Sequence, residues 1–208
     1  MDFLNNKNKL LLTPLNSFRG ASHKKHAYLL VKHDSLYLLK NHLKYRQKGF
    51  YLAGRRVELG PDFSKELAPE VILKGGLNGM NLGLVLSCLK KDSAFWHRSI
   101  PVYNPFLRQL LKMEGVDDLK GCNFSVDRES LFQINGFDED YEGYAREDTD
   151  LEIRLQYLGL KIKSLKGLCI QYHIWHEHFP ESEKNVRKLK DLRVNKDPKC
   201  KNGLIKAL

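Results

Sequence analysis

Between residues 119 and 178 the apolar periods and the turn residues that separate them leave little freedom in how the chain can run. Cys122, Phe124 and Val126 alternate with polar residues as in a half-buried strand. Asp127 stands where a carboxylate caps a helix reaching Ile134, and Asn135-Gly136 stops that helix. An aromatic and acidic loop follows, and then Arg146-Glu147-Asp148-Thr149-Asp150 leads into Leu151, Ile153, Leu155 and Leu158, with Gly159 placed as the residue just past a helix end. Two short strands, around residues 160 to 165 and 168 to 172, deliver the chain to His173-Ile174-Trp175-His176-Glu177-His178.

The rest of the chain is less patterned. Residues 1 to 25 have no apolar period and read as a basic, poorly ordered arm, residues 26 to 178 as the folded region, and residues 179 to 208 as a solvated basic tail. Within the folded region, residues 27 to 31 suit a short strand. Asp34 then precedes Leu36, Leu39 and Leu43 at helical spacing, and Gly49 ends that helix. Residues 50 to 59 read as one strand, stopped by Gly60-Pro61, and the Gly-rich run from 74 to 83 as a flexible connection rather than a phosphate-binding loop.

A chain of 208 residues is long enough for one domain with a real core, and a net charge of +10 favours anionic partners without choosing among them. Two tryptophans far apart make no stacking platform, so specific nucleic-acid binding is not expected. Four widely spaced cysteines with no C-x-x-C pair fit a reduced, cytoplasmic setting, and no stretch approaches a membrane span. Arg187, Lys188, Lys190 and Arg193 in the tail suggest peripheral contact with an anionic membrane face.

Glu147, Asp148 and Asp150 crowd a helix N-terminus, where free N–H groups and the helix dipole favour carboxylates. Thr149 with Glu152 fits a capping box, so stability alone accounts for part of the cluster. The functional reading is that one carboxylate faces a pocket and takes a proton from a hydroxyl nucleophile. Adjacent helical residues diverge, which makes Glu147 and Asp148 a poor glycosidase pair and suggests one binding group and one base. His173, His176 and His178 have imidazoles suited to a metal but no recognised ligand spacing, so a metal hydrolase using His173, His176 and Glu177 is disfavoured.

Taken together, Gly121-Cys122-Asn123-Phe124-Ser125-Val126, Asn135-Gly136-Phe137-Asp138-Glu139, Arg146-Glu147-Asp148, His173 and His176 resemble the C-terminal, galactosyltransferase-like region of GT-A-fold inverting glycosyltransferases of the family 2 type. A weaker likeness extends over residues 40 to 60, around His42-Leu43-Lys44-Tyr45 and Ala53-Gly54-Arg55-Arg56. The resemblance implies an α/β, partial GT-A-like fold, the C-terminal half of a nucleotide-sugar transferase with a mixed sheet and flanking helices. It implies Asp148 as general base and Glu147 as an acceptor-binding partner. Asn123, Tyr141, Tyr144 and Arg146 become substrate-binding candidates, and His173 and His176 ligands of Mn²⁺ or Mg²⁺. The implied partners are a nucleotide-sugar donor, UDP-linked, and a glycan or lipid-linked acceptor. Tyr144-Ala145 stands where many relatives carry Trp-Gly, which changes the acceptor pocket.

The donor-gripping Asp-x-Asp of such enzymes has no counterpart here, since the expected positions carry Leu29 and Val31. The reading is therefore a chain lacking the donor-binding half, truncated or split from a separate N-terminal half and inactive alone. The alternative is a catalytically inactive module that binds glycan or polyanion.

Overall fold

The computed structural model describes residues 10–12, 29–31, 35–67, 77, 81–115, 118–143, 146–177 and 180–206, with side chains described from residue 38 onward. Of the expected basic arm, residues 10–12 are among these and form a strand; of the Gly-rich run from 74 to 83, residues 77 and 81–83 are, and Leu82 and Gly83 open a helix instead of a flexible connection.

Among the described residues, seven strands form two mixed sheets. Strands β1 (Leu10–Leu12), β5 (Phe124–Asp127), β3 (Phe50–Ala53) and β6 (Lys161–Ser164) make the first in that order, and β2 (Leu29–Val31), β7 (Ile170–His173) and β4 (Arg55–Glu58) make the second. Strand β3 runs parallel to β6 and antiparallel to β5, and β4 runs parallel to β7, which pairs antiparallel with β2. The helices are α1 (Ser35–Tyr45), α2 (Pro61–Glu66), α3 (Leu82–Leu89), α4 (Pro105–Leu110), α5 (Arg128–Gln133), α6 (Glu147–Tyr157) and α7 (Glu183–Asn195). This mixed α/β arrangement is compatible with a partial GT-A-like fold.

Three apolar clusters follow from strand alternation. Tyr51, Phe124 and Val126 meet Ile134, Leu151 and Leu155 on one face of the first sheet, beneath α5 and α6. Leu52, pointing the other way from Tyr51 as the strand period requires, joins Leu165, Leu168 and Cys169 with Leu38 and Tyr45 of α1 against them. Val57, Ile170 and Tyr172 pack with Leu84 of α3 and with Phe63 and Trp96 on the second sheet.

Residues 50 to 59 do not form the single strand expected. The chain crosses from one sheet to the other at Gly54, whose backbone lies so close to Asn123 that a Cβ there would meet the Asn123 side chain at 2.3 Å. Asn123 stitches the crossing: its Nδ2 donates to Arg55 O at 3.2 Å and Cys169 O at 3.1 Å. Its Oδ1 thus faces His42 Nε2 at 3.1 Å, which makes Nε2 the protonated ring nitrogen, while His42 Nδ1 accepts from Ser125 Oγ at 2.7 Å.

Burial holds the His42 pKa down at about 4, against a partial upward pull from Asn123. The unfolded chain therefore binds more protons than the folded one between about pH 6.5 and 4, so stability falls as pH falls through that window. The loss expected from this residue is about 2 kcal/mol by pH 5. Urea unfolding of the protein and of His42→Gln at pH 7 and pH 5 isolates it, because the variant lacks this slope; equal slopes would refute the assignment.

The tail expected to be solvated instead contributes α7, with Asn185 and Leu189 buried. Beyond it, residues 200 to 206 close over the Asn135-Gly136 turn. Cys200 and Leu204 donate their N–H groups to Ile134 O and Asn135 O, and Asn135 Nδ2 donates to Cys200 O at 3.0 Å and Ile205 O at 2.8 Å.

Candidate active site

The acidic cluster at the start of α6 separates into distinct roles. The helix begins at Glu147, after Arg146 in a left-handed conformation at φ 84°, and the expected Thr149–Glu152 capping box does not form. Glu152 turns inward and accepts from Tyr51 Oη at 3.0 Å and from Leu119 N at 2.9 Å. Asp150 is buried against Arg154 at 2.6 Å. Glu147 and Asp148 remain half-buried. Asp148 Oδ2 accepts from Gly121 N at 3.3 Å, and a Cβ at residue 121 would lie 3.2 Å from Asp148 Cβ, so glycine lets the helix start this close to the loop ahead of β5. Burial raises the Glu147 pKa, its own backbone N–H opposes this, and the Asp148 charge raises it further.

From that loop the contacts lead to the end of β7. Gln171 Nε2 donates to Cys122 O at 2.9 Å. The parallel register pairs Arg56 with Gln171 and Glu58 with His173, which places all four side chains on the face opposite Val57 and Tyr172. Arg56 Nε donates to Glu58 Oε1 at 2.6 Å and its Nη1 approaches Cys122 Sγ at 3.8 Å. Burial pushes the Cys122 thiol up, against the pull of the Arg56 charge.

His173 closes this face, with Nε2 3.1 Å from His176 Nε2 and ring centroids 5.0 Å apart. His176 Nδ1 lies 3.0 Å from Glu177 O. Metal–imidazole bonds are about 2.0–2.1 Å long, so two nitrogens at this separation suit adjacent ligands of one cation. Among the described residues no group of three or more His, Cys, Asp or Glu side chains could hold a metal ion.

The remaining expected residues do not converge on one opening. Asn123, expected to touch substrate, is 1% exposed and holds the sheet crossing, because both ends of its amide are engaged by backbone carbonyls and His42. Arg146 forms a two-pronged ion pair with Glu181 at the surface. Tyr141 donates its hydroxyl to Asp150 Oδ1 at 3.2 Å, with the Lys188 ammonium 5.5 Å from its ring. Tyr144 and His178 lie outside the described residues. Sequence reasoning placed Cys122 on a half-buried strand and within the resembling motif but gave it no part in the site, and singled out nothing about Gln171. Arg56 stood within the weaker stretch of resemblance, and only the β4–β7 register shows which way it points.

No helix among the described residues is long and apolar enough to cross a membrane. Residues 108–177 match the family model described as the N-terminal domain of galactosyltransferase. No curated protein matches the chain. The matched span contains Gly121, the Glu147-Asp148 pair and both His173 and His176, and with the α/β frame around them it makes residues 108–177 a glycosyltransferase-like region.

Proposed function

We propose that this region transfers a sugar from a nucleotide-sugar donor to a hydroxyl of a glycan or lipid-linked acceptor, with inversion at the anomeric carbon. The observation that carries the reading is Asp148: a half-buried carboxylate at a helix N-terminus, fixed by the Gly121 N–H and joined through Cys122 and Gln171 to the His173 strand end. Asp148 takes the proton of the acceptor hydroxyl as its oxygen bonds to the anomeric carbon and the bond to the diphosphate oxygen breaks on the opposite side. The Gly121 N–H fixes the position of the carboxylate at the helix N-terminus for that step. Glu147, beside it on the first turn, receives a neighbouring acceptor hydroxyl, and its raised pKa suits a group that can also donate. A cation on His173 and His176 would supply charge neutralisation for the departing diphosphate, and imidazole ligation favours Mn²⁺ over the oxygen-seeking Mg²⁺.

A second reading, a glycan- or polyanion-binding module without catalysis, is favoured by the net charge of +10 and by the two-ligand character of the histidine pair. The test is a transfer assay with Mn²⁺, a panel of nucleotide sugars and oligosaccharide acceptors, run on the protein alone and together with the donor-binding half of a related transferase. Gain of acceptor mass in the presence of the donor-binding half carries the transferase reading. Acceptor binding with no transfer in either arm carries the second.

A further inference from the structure

Between β4 and β5 the chain makes one long excursion, and its described part from Leu82 to Lys112 has its polarity turned outward. Nine of the fifteen large apolar side chains exposed among the described residues fall within it. On α3 the inward face, Leu84 and Ser87, is buried, while Leu82, Leu86 and Leu89, at i, i+4 and i+7, form an outer stripe that is 71%, 48% and 74% exposed. Helix α4 is reversed more completely. Arg108 is its buried residue, donating to Val102 O at 3.3 Å and Lys166 O at 2.5 Å, whereas Phe106 and Leu110 stand out at 75% and 67% exposed. Leucines placed this way lower the solubility of the folded protein unless something apolar covers them.

Charge points to the covering. The excursion from residue 82 to 112 has five basic residues and one acidic. The acid, Asp92, is turned to the protein, accepting from the Asp62 and Phe63 N–H groups and from Ser87 Oγ. Arg108 is satisfied internally, and Glu114 just beyond is paired with it at 2.8 Å. Lys90, Lys91 and Lys112 follow the C-terminal ends of the two helices and are exposed. Exposed leucines and a phenylalanine on two helices, each followed by exposed lysines, match the chemistry of a surface that enters the headgroup and acyl boundary of an anionic bilayer.

We propose that the outer faces of α3 and α4 seat the protein on an anionic lipid surface, with Leu82, Leu86, Leu89, Phe106 and Leu110 entering the boundary and Lys90, Lys91 and Lys112 meeting the headgroups. This assigns membrane contact to the excursion and not to the basic helix α7, whose Lys188 is held by Asp138 at 3.0 Å and Asp140 at 2.9 Å and whose Arg187 pairs with Glu183 at 3.0 Å. The attachment is independent of sugar transfer, so either reading can fail without the other.

The test is co-sedimentation with vesicles of phosphatidylcholine and phosphatidylglycerol in equal parts, and of phosphatidylcholine alone, with sedimentation velocity to follow self-association. The protein is expected to bind the anionic vesicles and to lose about tenfold or more in affinity in Leu86→Ser/Leu89→Ser, in Phe106→Ser/Leu110→Ser and in Lys90→Gln/Lys91→Gln/Lys112→Gln. All are exposed positions, so these variants keep their fold. Lys184→Gln/Arg187→Gln/Lys190→Gln on α7 is expected to bind within about twofold of the unaltered protein. The proposal is overturned by absence of binding to anionic vesicles or by loss of binding only in the α7 variant. It is equally overturned if the serine variants abolish self-association but leave vesicle binding intact, since the face would then join two copies of the chain.

Discussion

Arg154→Leu is expected to destabilise the protein by about 3–5 kcal/mol, the usual cost of removing one partner from a buried ion pair. Arg154 is 1% exposed and its guanidinium does three things at once: it meets Asp150 Oδ2 at 2.6 Å and donates to Ile134 O at 2.8 Å and Gly136 O at 2.7 Å. Leucine fills much of the space but takes the guanidinium donor from Asp150 Oδ2 and from Gly136 O, and leaves Asp150 with only the Tyr141 hydroxyl and Ile134 O with only the Cys200 N–H in a buried site. Both residues of the Asn135-Gly136 turn have positive φ, 65° and 73°, and their outer side is tied to residues 200 to 206, so the effect should spread to the C-terminal segment. Denaturant unfolding measures the change. The double variant Arg154→Leu/Asp150→Leu should recover part of it by removing the orphaned charge. A loss below about 1 kcal/mol in the single variant would show that the pair is not what holds the turn.

The second large effect is catalytic. Asp148→Asn is expected to lower kcat by about 10²–10⁴-fold in a transfer-competent preparation, the range that a positioned general base supplies. The amide oxygen can still accept from Gly121 N–H, so the start of α6 and the approach of the loop ahead of β5 should persist, and the unfolding midpoint should barely move. What asparagine cannot do is take the proton of the acceptor hydroxyl. Glu147→Gln should act differently, mainly raising the acceptor KM, because its proposed work is binding. Retention of full kcat by Asp148→Asn would remove Asp148 as base. A collapse of stability in the same variant would assign Asp148 to the fold.

Much of the frame around this site was legible in residues close together in the chain. Asp127 caps α5 as expected, its Oδ1 accepting from Ser130 N at 2.9 Å, and Gly159 takes the left-handed conformation past the end of α6 at φ 92°. These are short-range effects, in which a side chain meets backbone three or four residues away, and no other part of the molecule is needed to predict them. The capping box was a short-range expectation that failed. Glu152 had a better-placed pair of donors in Tyr51 and Leu119, buried partners distant in sequence, and a desolvated N–H outbids a solvated helix end.

The sequence by itself determined the cap that starts α5, the glycine that ends α6, that strands and helices mix, and that Glu147 and Asp148 sit together on a helix N-terminus ahead of a histidine-bearing strand end. Only the tertiary structure decided which polar groups are used up in holding the fold. Asn123 lies within a motif that suggests substrate contact, yet the crossing at Gly54 buries it against Arg55, Cys169 and His42. Arg146 pairs with Glu181, Tyr141 with Asp150, and the tail becomes a helix packed on the body. The physical reason is the same in each case: periodicity and capping are set over a few residues, whereas the choice between a buried partner and a ligand depends on which surfaces meet, and those surfaces belong to segments tens of residues apart.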